Sequence, residues 1–267
     1  MQEILIAELM EIGFQSFEQT DSELRAILPE QACNDELESS IQKLIDALSI
    51  ASWSREVVEE INWNEMWEQS IRPILTDSFL IRPSWIDLQP PDGIALLIID
   101  PKMSFGTGVH PTTRLILSLL PDVMKKKPVR VLDAGTGTGI LAIAAAKLGA
   151  EEVVAFDSDP WSERNTRENI DTNKVADSVS VMCGEIDVIQ VSPPFDLVMA
   201  NINRNALLTL SRQLTSRVAK GGTLILSGLL DTDRAVILET YLSLNMRLTD
   251  ERSEGEWIAI QFSSDPL

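Results

Sequence analysis

From about residue 96 onward the chain alternates between short, almost wholly apolar runs and longer segments that keep their apolar residues to one helical face. The runs VRVLD (129–133), EVVAFD (152–157), VSVMC (179–183), FDLVMANI (195–202) and TLILSG (223–228) predict strands covered on both faces. Between them, ILAIAAAKLGA (140–150), PWSERNTRENIDTN (160–173) and residues 204–219 and 231–244 predict helices. Pro160 suits a first helical turn, where no backbone donor is lost. Repetition of strand and helix predicts a mostly parallel, doubly wound sheet with right-handed crossovers. The closing stretch, 246–262, reads as a hairpin turning at Glu254–Gly255, so the last strand runs antiparallel to its neighbour.

The first 60 residues keep a different rhythm. Ile4, Leu5, Leu9 and Ile12 fall near one face of a helix over 2–12. FQSFEQT (14–20) and ELRAIL (23–28) alternate like the strands of a hairpin, with Asp21 and Ser22 at the turn. A second helix follows over 35–48 and a third strand over 49–60, giving α-β-β-α-β, a small α+β module. Residues 61–95, rich in Trp and Pro (Trp63, Trp67, Trp85), read as a connector packed against both neighbours. The expected domains are therefore 1–60, 61–95 and 96–267.

Composition narrows the functional classes. Of 267 residues, 44% are hydrophobic and 24% charged, a balance that supplies a real core. No apolar run reaches the roughly 18 residues that a membrane helix needs. MQEILIAELMEI is interrupted by Glu3, Glu8 and Glu11 and has no basic start, so an amphipathic helix is expected there and not a signal peptide. Cys33 and Cys183 are far apart and lack ligand-like neighbours, which predicts reduced thiols, a cytoplasmic setting and no metal site. A formal net charge of −19 opposes nucleic-acid backbones and attracts a basic partner.

The densest chemistry lies in VLDAGTGTGILAIAAA. A buried strand ends at Asp133, a loop carries Gly135, Gly137 and Gly139, and a helix begins at once. Ligands of open α/β sheets bind at such strand ends. A dinucleotide site asks for G-x-G-x-x-G, whereas this run is D-x-G-x-G-x-G with Ile140 at the third dinucleotide position. The strand-end acid suits a positively charged ligand without a phosphate, and S-adenosylmethionine has that character. Asp157, at the end of the next strand, can accept both ribose hydroxyls. Asp159 precedes Pro160 and is the natural helix cap. Asn201 ends the fourth strand of the wound sheet, facing the same crevice, where an amide oxygen can accept a hydrogen bond from an amine. A carboxylate there would favour the protonated, non-nucleophilic amine.

One further segment, DPKMSFGTGVHPTTRLIL (100–117), holds the chain's single histidine, His110, ahead of an abrupt helical pattern. Taken in order, SFGTGVHPTT, VLDAGTGTGILAIAAAKLGA and DLVMANI resemble the PrmA-type methyltransferases that modify large-subunit ribosomal protein eleven. NWNEMWEQSIRPI and IRPSW are similar to that family's connector, so the likeness spans nearly the whole chain. The resemblance implies an α/β fold with a doubly wound, seven-stranded class I methyltransferase (Rossmann-like) sheet. It also implies a small ferredoxin-like N-terminal domain that docks the substrate, here without its first strand. The implied activity is methyl transfer from S-adenosylmethionine to lysine ε-amines and the N-terminal α-amine of that basic ribosomal protein. It is implied for a cytoplasmic monomer with no direct contact to nucleic acid or membrane. The segment 105–110 is implied to close over the cofactor, with Thr107, Gly108 and His110 in contact and His110 positioning the loop instead of acting as a base. The expected cofactor set is thus Thr107, Gly108, His110, Asp133, Gly135, Gly137, Gly139, Asp157 and Asn201, with Asn201 also catalytic. Asn203 and Arg204 depart from the apolar residues expected after Ile202, which bears on substrate selectivity. Three rival readings are a methyltransferase of another basic protein or small amine, a nicotinamide dehydrogenase, and a cofactor-binding protein without transfer activity.

Overall fold

The computed structural model of the chain describes residues 2–264 except 15, 21–22, 30–31, 49, 51, 58–70, 103 and 191–192. The chain divides into two compact units, Met1–Asn62 and Trp63–Leu267. Asp21, Ser22, Trp63 and Trp67 lie outside the described residues.

In the first unit, helices Gln2–Glu11 and Asp35–Ala47 accompany an antiparallel pair of strands, Ser16–Gln19 and Leu24–Ile27. Asn34 caps the second helix by accepting from Leu37 N (2.9 Å), which satisfies an end donor. The strand expected over 49–60 is not formed by its described residues: 52–57 are irregular and exposed throughout. With no buried face to occupy, the alternation has nothing to drive pairing. Trp53 instead donates its indole N–H to Gln42 (3.0 Å), and Arg55 pairs with Glu38 (2.7 Å), tying the segment to the helix.

The second unit is built on seven strands. In chain order these are β1 (Arg130–Ala134), β2 (Glu152–Asp157), β3 (Val179–Cys183), β4 (Phe195–Asn201), β5 (Val218–Leu230), β6 (Met246–Glu254) and β7 (Trp257–Ser264). Their spatial order is β6-β7-β5-β4-β1-β2-β3, with β7 antiparallel to both neighbours and the other pairings parallel. The chain leaves β1 toward β2 and β3, then returns to β4 on the other side. The crevice above β1 and β4 is therefore the topological switch point where open α/β sheets bind ligands. This is the Rossmann-like class I methyltransferase fold.

Both sheet faces are buried, which explains the continuous apolar runs. Val131, Val153, Leu197 and Ile225 enter one core; the alternate residues Leu132, Val154, Val198 and Leu224 enter the other. Helices α1 (Pro111–Met124), α2 (Ile140–Lys147) and α3 (Pro160–Asn173) cover the first face, and residues such as Leu207, Leu214, Ile237 and Tyr241 cover the second.

Two expectations need correction. The helix over 204–219 is two short helices, Arg204–Thr209 and Ser211–Thr215, and β5 already begins at Val218. Gly221 and Gly222 lie in a bulge where the register jumps from Val218↔Phe195 to Thr223↔Leu197. The described part of 61–95 also holds more than a connector. Ile74–Leu75, Phe79–Arg82 and Ala95–Ile98 form a three-stranded sheet whose Phe79, Ile81 and Leu97 join the first core.

The outer edge of that small sheet is closed by a helix. Asn173 receives from Ile98 N (3.0 Å) and donates to Ile98 O (2.6 Å), and Asn169 receives from Asp100 N (3.0 Å). Asn169 also donates to Thr138 O (2.8 Å) and Asp100 O (3.2 Å), and Asn165 donates to Asp100 O (2.8 Å). Three buried amides spaced four residues apart on α3 thus replace a strand. Asn169→Leu would leave Asp100 and Thr138 with unmet backbone groups. We expect it to lower stability by roughly 2–4 kcal/mol in urea unfolding, with the slope against urea unchanged.

Candidate active site

Strand β1 places its last residues at the crevice, and the loop after it turns on glycine. Gly135 N and Thr136 N both donate to Phe156 O of β2 (3.0 and 3.1 Å). Gly137 sits at φ +59°, and a Cβ there would strike the Phe105 carbonyl. Only glycine combines that left-handed backbone with so close an approach. The contact is reinforced because Thr138 N donates to Phe105 O (2.9 Å) and Thr138 Oγ1 to Gly106 O (2.5 Å). A strap over residues 104–110 thereby lies against the glycine loop. Gly135 faces Ile202 and Gly139 faces Thr166, in each case with no room for a further carbon.

Asp133 is fully buried beneath this loop. Its Oδ2 accepts from Thr136 Oγ1 (2.6 Å) and Ala142 N (3.1 Å), while Oδ1 has no protein partner. Burial pushes its carboxyl up to about 6; the two hydrogen bonds oppose this and the Asp157 charge adds to it. Asp157 is half-buried at the end of β2 and accepts from Gly137 N (2.9 Å) and Asp159 N (3.0 Å). Asp159 caps α3 through Trp161 N (2.9 Å). Asp157 is thus the acid joined to the glycine loop.

Asn201 ends β4 beside β1, where Ala200 pairs with Ala134. Its Nδ2 donates to Thr113 Oγ1 of α1 (3.3 Å), and its buried Oδ1 has no donor. Such an orphaned acceptor costs roughly 1–3 kcal/mol unless something supplies a proton donor. Thr113 is fully buried and fixes which way the amide faces.

The strap is held at both ends. His110 caps α1, accepting from Thr112 N (3.4 Å), and its ring packs edge-on against Trp257 at 4.6 Å between centroids. The Phe105 ring also lies against His110, at 5.3 Å between centroids. Gly108 packs on Ile81, and Thr107, half-buried, accepts from Val109 N (3.3 Å). The structure therefore gathers Asp133, Gly135, Gly137, Gly139, Asp157 and Asn201 at the ends of β1, β2 and β4, while Thr107, Gly108 and His110 lie on the strap whose Phe105 and Gly106 meet the glycine loop. Sequence reading missed Thr113, Thr138, Trp257 and Arg114. Thr113 stands in the quoted HPTT, but its partner Asn201 is 88 residues away.

A family model described as ribosomal protein L11 methyltransferase (PrmA) matches residues 4–265. The chain belongs to the PrmA methyltransferase family. A PrmA relative from Porphyromonas gingivalis, named ribosomal protein L11 methyltransferase, is 43% identical over 98% of this chain and 91% of its own length. One from Bacteroides thetaiotaomicron with the same name is 33% identical over 98% of this chain and 93% of its own. A crystal structure of ribosomal protein L11 methylase from Lactobacillus delbrueckii subsp. bulgaricus aligns with a TM-score of 0.67 and 32% identity. It covers 73% of this chain and all of that one.

The buried acid of this PrmA chain has a measurable signature. A carboxyl raised from the usual value to about 6 keeps a proton in the folded state that the unfolded state releases. Stability from this group is therefore lost as pH rises through that value. Between pH 5 and 7, wild-type stability should fall by about 1 kcal/mol relative to Asp133→Asn, read by chemical unfolding at each pH.

Proposed function

We propose that this protein transfers methyl groups from S-adenosylmethionine to lysine ε-amines and the N-terminal α-amine of ribosomal protein L11. The observation that carries the reading is the Asn201 oxygen, buried without a donor at a strand tip that adjoins the glycine loop. Family membership sets the reaction class; the amide gives it a place for the nucleophile.

S-adenosylmethionine supplies an electrophilic methyl on a sulfonium, so the protein's own task is alignment and desolvation. The residues suit such a ligand. Gly135, Gly137 and Gly139 let the loop turn tightly at the strand ends, where such a ligand would lie. Asp157 has one backbone donor on each oxygen and lone pairs left for ribose hydroxyls. Asp133 acts from below, shaping the loop through Thr136 and Ala142 and supporting the methionine end. Thr107, Gly108 and His110 form the roof, with His110 a positioning residue.

Lysine ordinarily titrates near 10.4, and the crevice must deliver it neutral. Desolvation disfavours the ammonium. Asn201, held by Thr113, then accepts an amine N–H and turns the nitrogen lone pair toward the methyl donor. Holding two reactants in register supplies a large share of such a rate. The formal net charge of −19 draws in a basic ribosomal protein, and residues 1–60 are its docking module, joined through 61–95 to the methyltransferase domain at 96–267. The same reading puts a monomer in the cytoplasm.

Radiolabelled transfer onto purified L11 tests the proposal; no label on L11, with label on another basic protein or a small amine, would redirect it. Asn201→Ala should lower kcat by roughly a hundredfold or more while cofactor affinity changes by less than about threefold. Asp157→Ala should instead weaken cofactor binding by roughly tenfold or more in calorimetry.

A further inference from the structure

Nothing in the reaction chemistry calls for Arg114, on the first turns of α1, yet its guanidinium joins three separate pieces of the site. It donates to the carbonyls of Gly108 (3.3 Å) and Val109 in the strap. It also grips both carboxylate oxygens of Glu254, Nε donating to Oε1 (3.2 Å) and Oε2 (3.1 Å) and Nη2 to Oε1. The Arg114 guanidinium holds the Glu254 carboxyl below the usual carboxylate range, with His110 adding a smaller effect in the same sense. Glu254 ends β6, and three residues on, Trp257 opens β7 and carries the His110 ring.

We propose that Arg114 and Glu254 are the latch that holds the strap in its binding position, making Arg114 a positioning residue for the cofactor. This rests on the assignment of the strap as the cofactor's roof. Three observations support it. Near its start the strap is joined to the glycine loop by two hydrogen bonds from Thr138. Toward His110 it has no backbone pairing to the hairpin among the described residues; beside the packing of His110 on Trp257, Arg114 supplies the hydrogen-bonded link through side-chain donors. A planar guanidinium with five donors can serve two carbonyls and a carboxylate together, which an ammonium cannot. The contact engages both carboxylate oxygens, which makes it stronger than a single-point surface pair.

The test compares wild type with Arg114→Gln, Arg114→Lys, Glu254→Gln and the double variant Arg114→Gln/Glu254→Gln. Hydrogen exchange of the ligand-free proteins is read first. Amides of 105–110 should exchange roughly tenfold faster in Arg114→Gln, while those of 135–142 stay within about twofold of wild type. In calorimetry, Arg114→Gln should bind S-adenosylmethionine roughly tenfold more weakly, Glu254→Gln somewhat less so, and the double variant no more weakly than Arg114→Gln alone. Turnover at saturating cofactor should remain within about threefold of wild type, so that the loss falls on KM. Arg114→Lys should resemble Arg114→Gln, not wild type. Unchanged strap exchange in Arg114→Gln overturns the latch, as does additivity in the double variant. Were Arg114→Gln not to fold, Glu254→Gln alone decides by the same two readouts. A wild-type protein that binds no S-adenosylmethionine, yet whose strap exchange still responds to Arg114→Gln, supports the latch and removes the cofactor assignment instead.

Discussion

Two backbones meet in this molecule with no side chain between them. The Gly137 amide plane lies against the Phe105 carbonyl, and Thr138 bonds to both Phe105 and Gly106. Everything distinctive about the site follows from that approach. It puts the strap over the crevice, presents Gly137 N to Asp157, and sets the start of α2 over the buried Asp133. A methyl group at this one position would push the strap and the loop apart. The core on both sides of the sheet holds β1 and β2 rigid, so the displacement could not be absorbed below.

The site is unequal in its polar accounting. Most buried polar atoms at the crevice are matched by protein, but Asp133 Oδ1 and Asn201 Oδ1 are not. Their environments differ. Asp133 is sealed under the loop and is raised toward neutrality, whereas Asn201 is only half-buried and turned by Thr113. One orphan therefore lies beneath the loop, and the other stands at the tip of β4.

Much of this was legible in the residues alone. The apolar runs located the five parallel strands of the large sheet, because strands covered on both faces carry an unmistakable continuous pattern. The glycine spacing set this loop apart from a dinucleotide turn, and Pro160 marked Asp159 as the helix cap, with Asp157 bonded to the glycine loop. What escaped was long-range or two-sided. Residues 52–57 alternate as a strand does but have no buried face to pair over. The Phe79–Arg82 strand is short and ends before a proline, so it looked like connector until its partners at 74–75 and 95–98 were in place. Arg114 and Glu254 are 140 residues apart, and neither has a local signature.

The amides of α3 set a different kind of limit. Two residues of strand advance by roughly 6.6 Å, and four residues of helix by roughly 6 Å. This near-match lets Asn169 and Asn173 meet Asp100 and Ile98 in step. An inserted or deleted residue between them would swing one amide away by about 100°. Loops elsewhere on this sheet are free to lengthen over generations, but the span from Asn165 to Asn173 is locked to its present count, since the helix serves there as a ruler for the neighbouring strand.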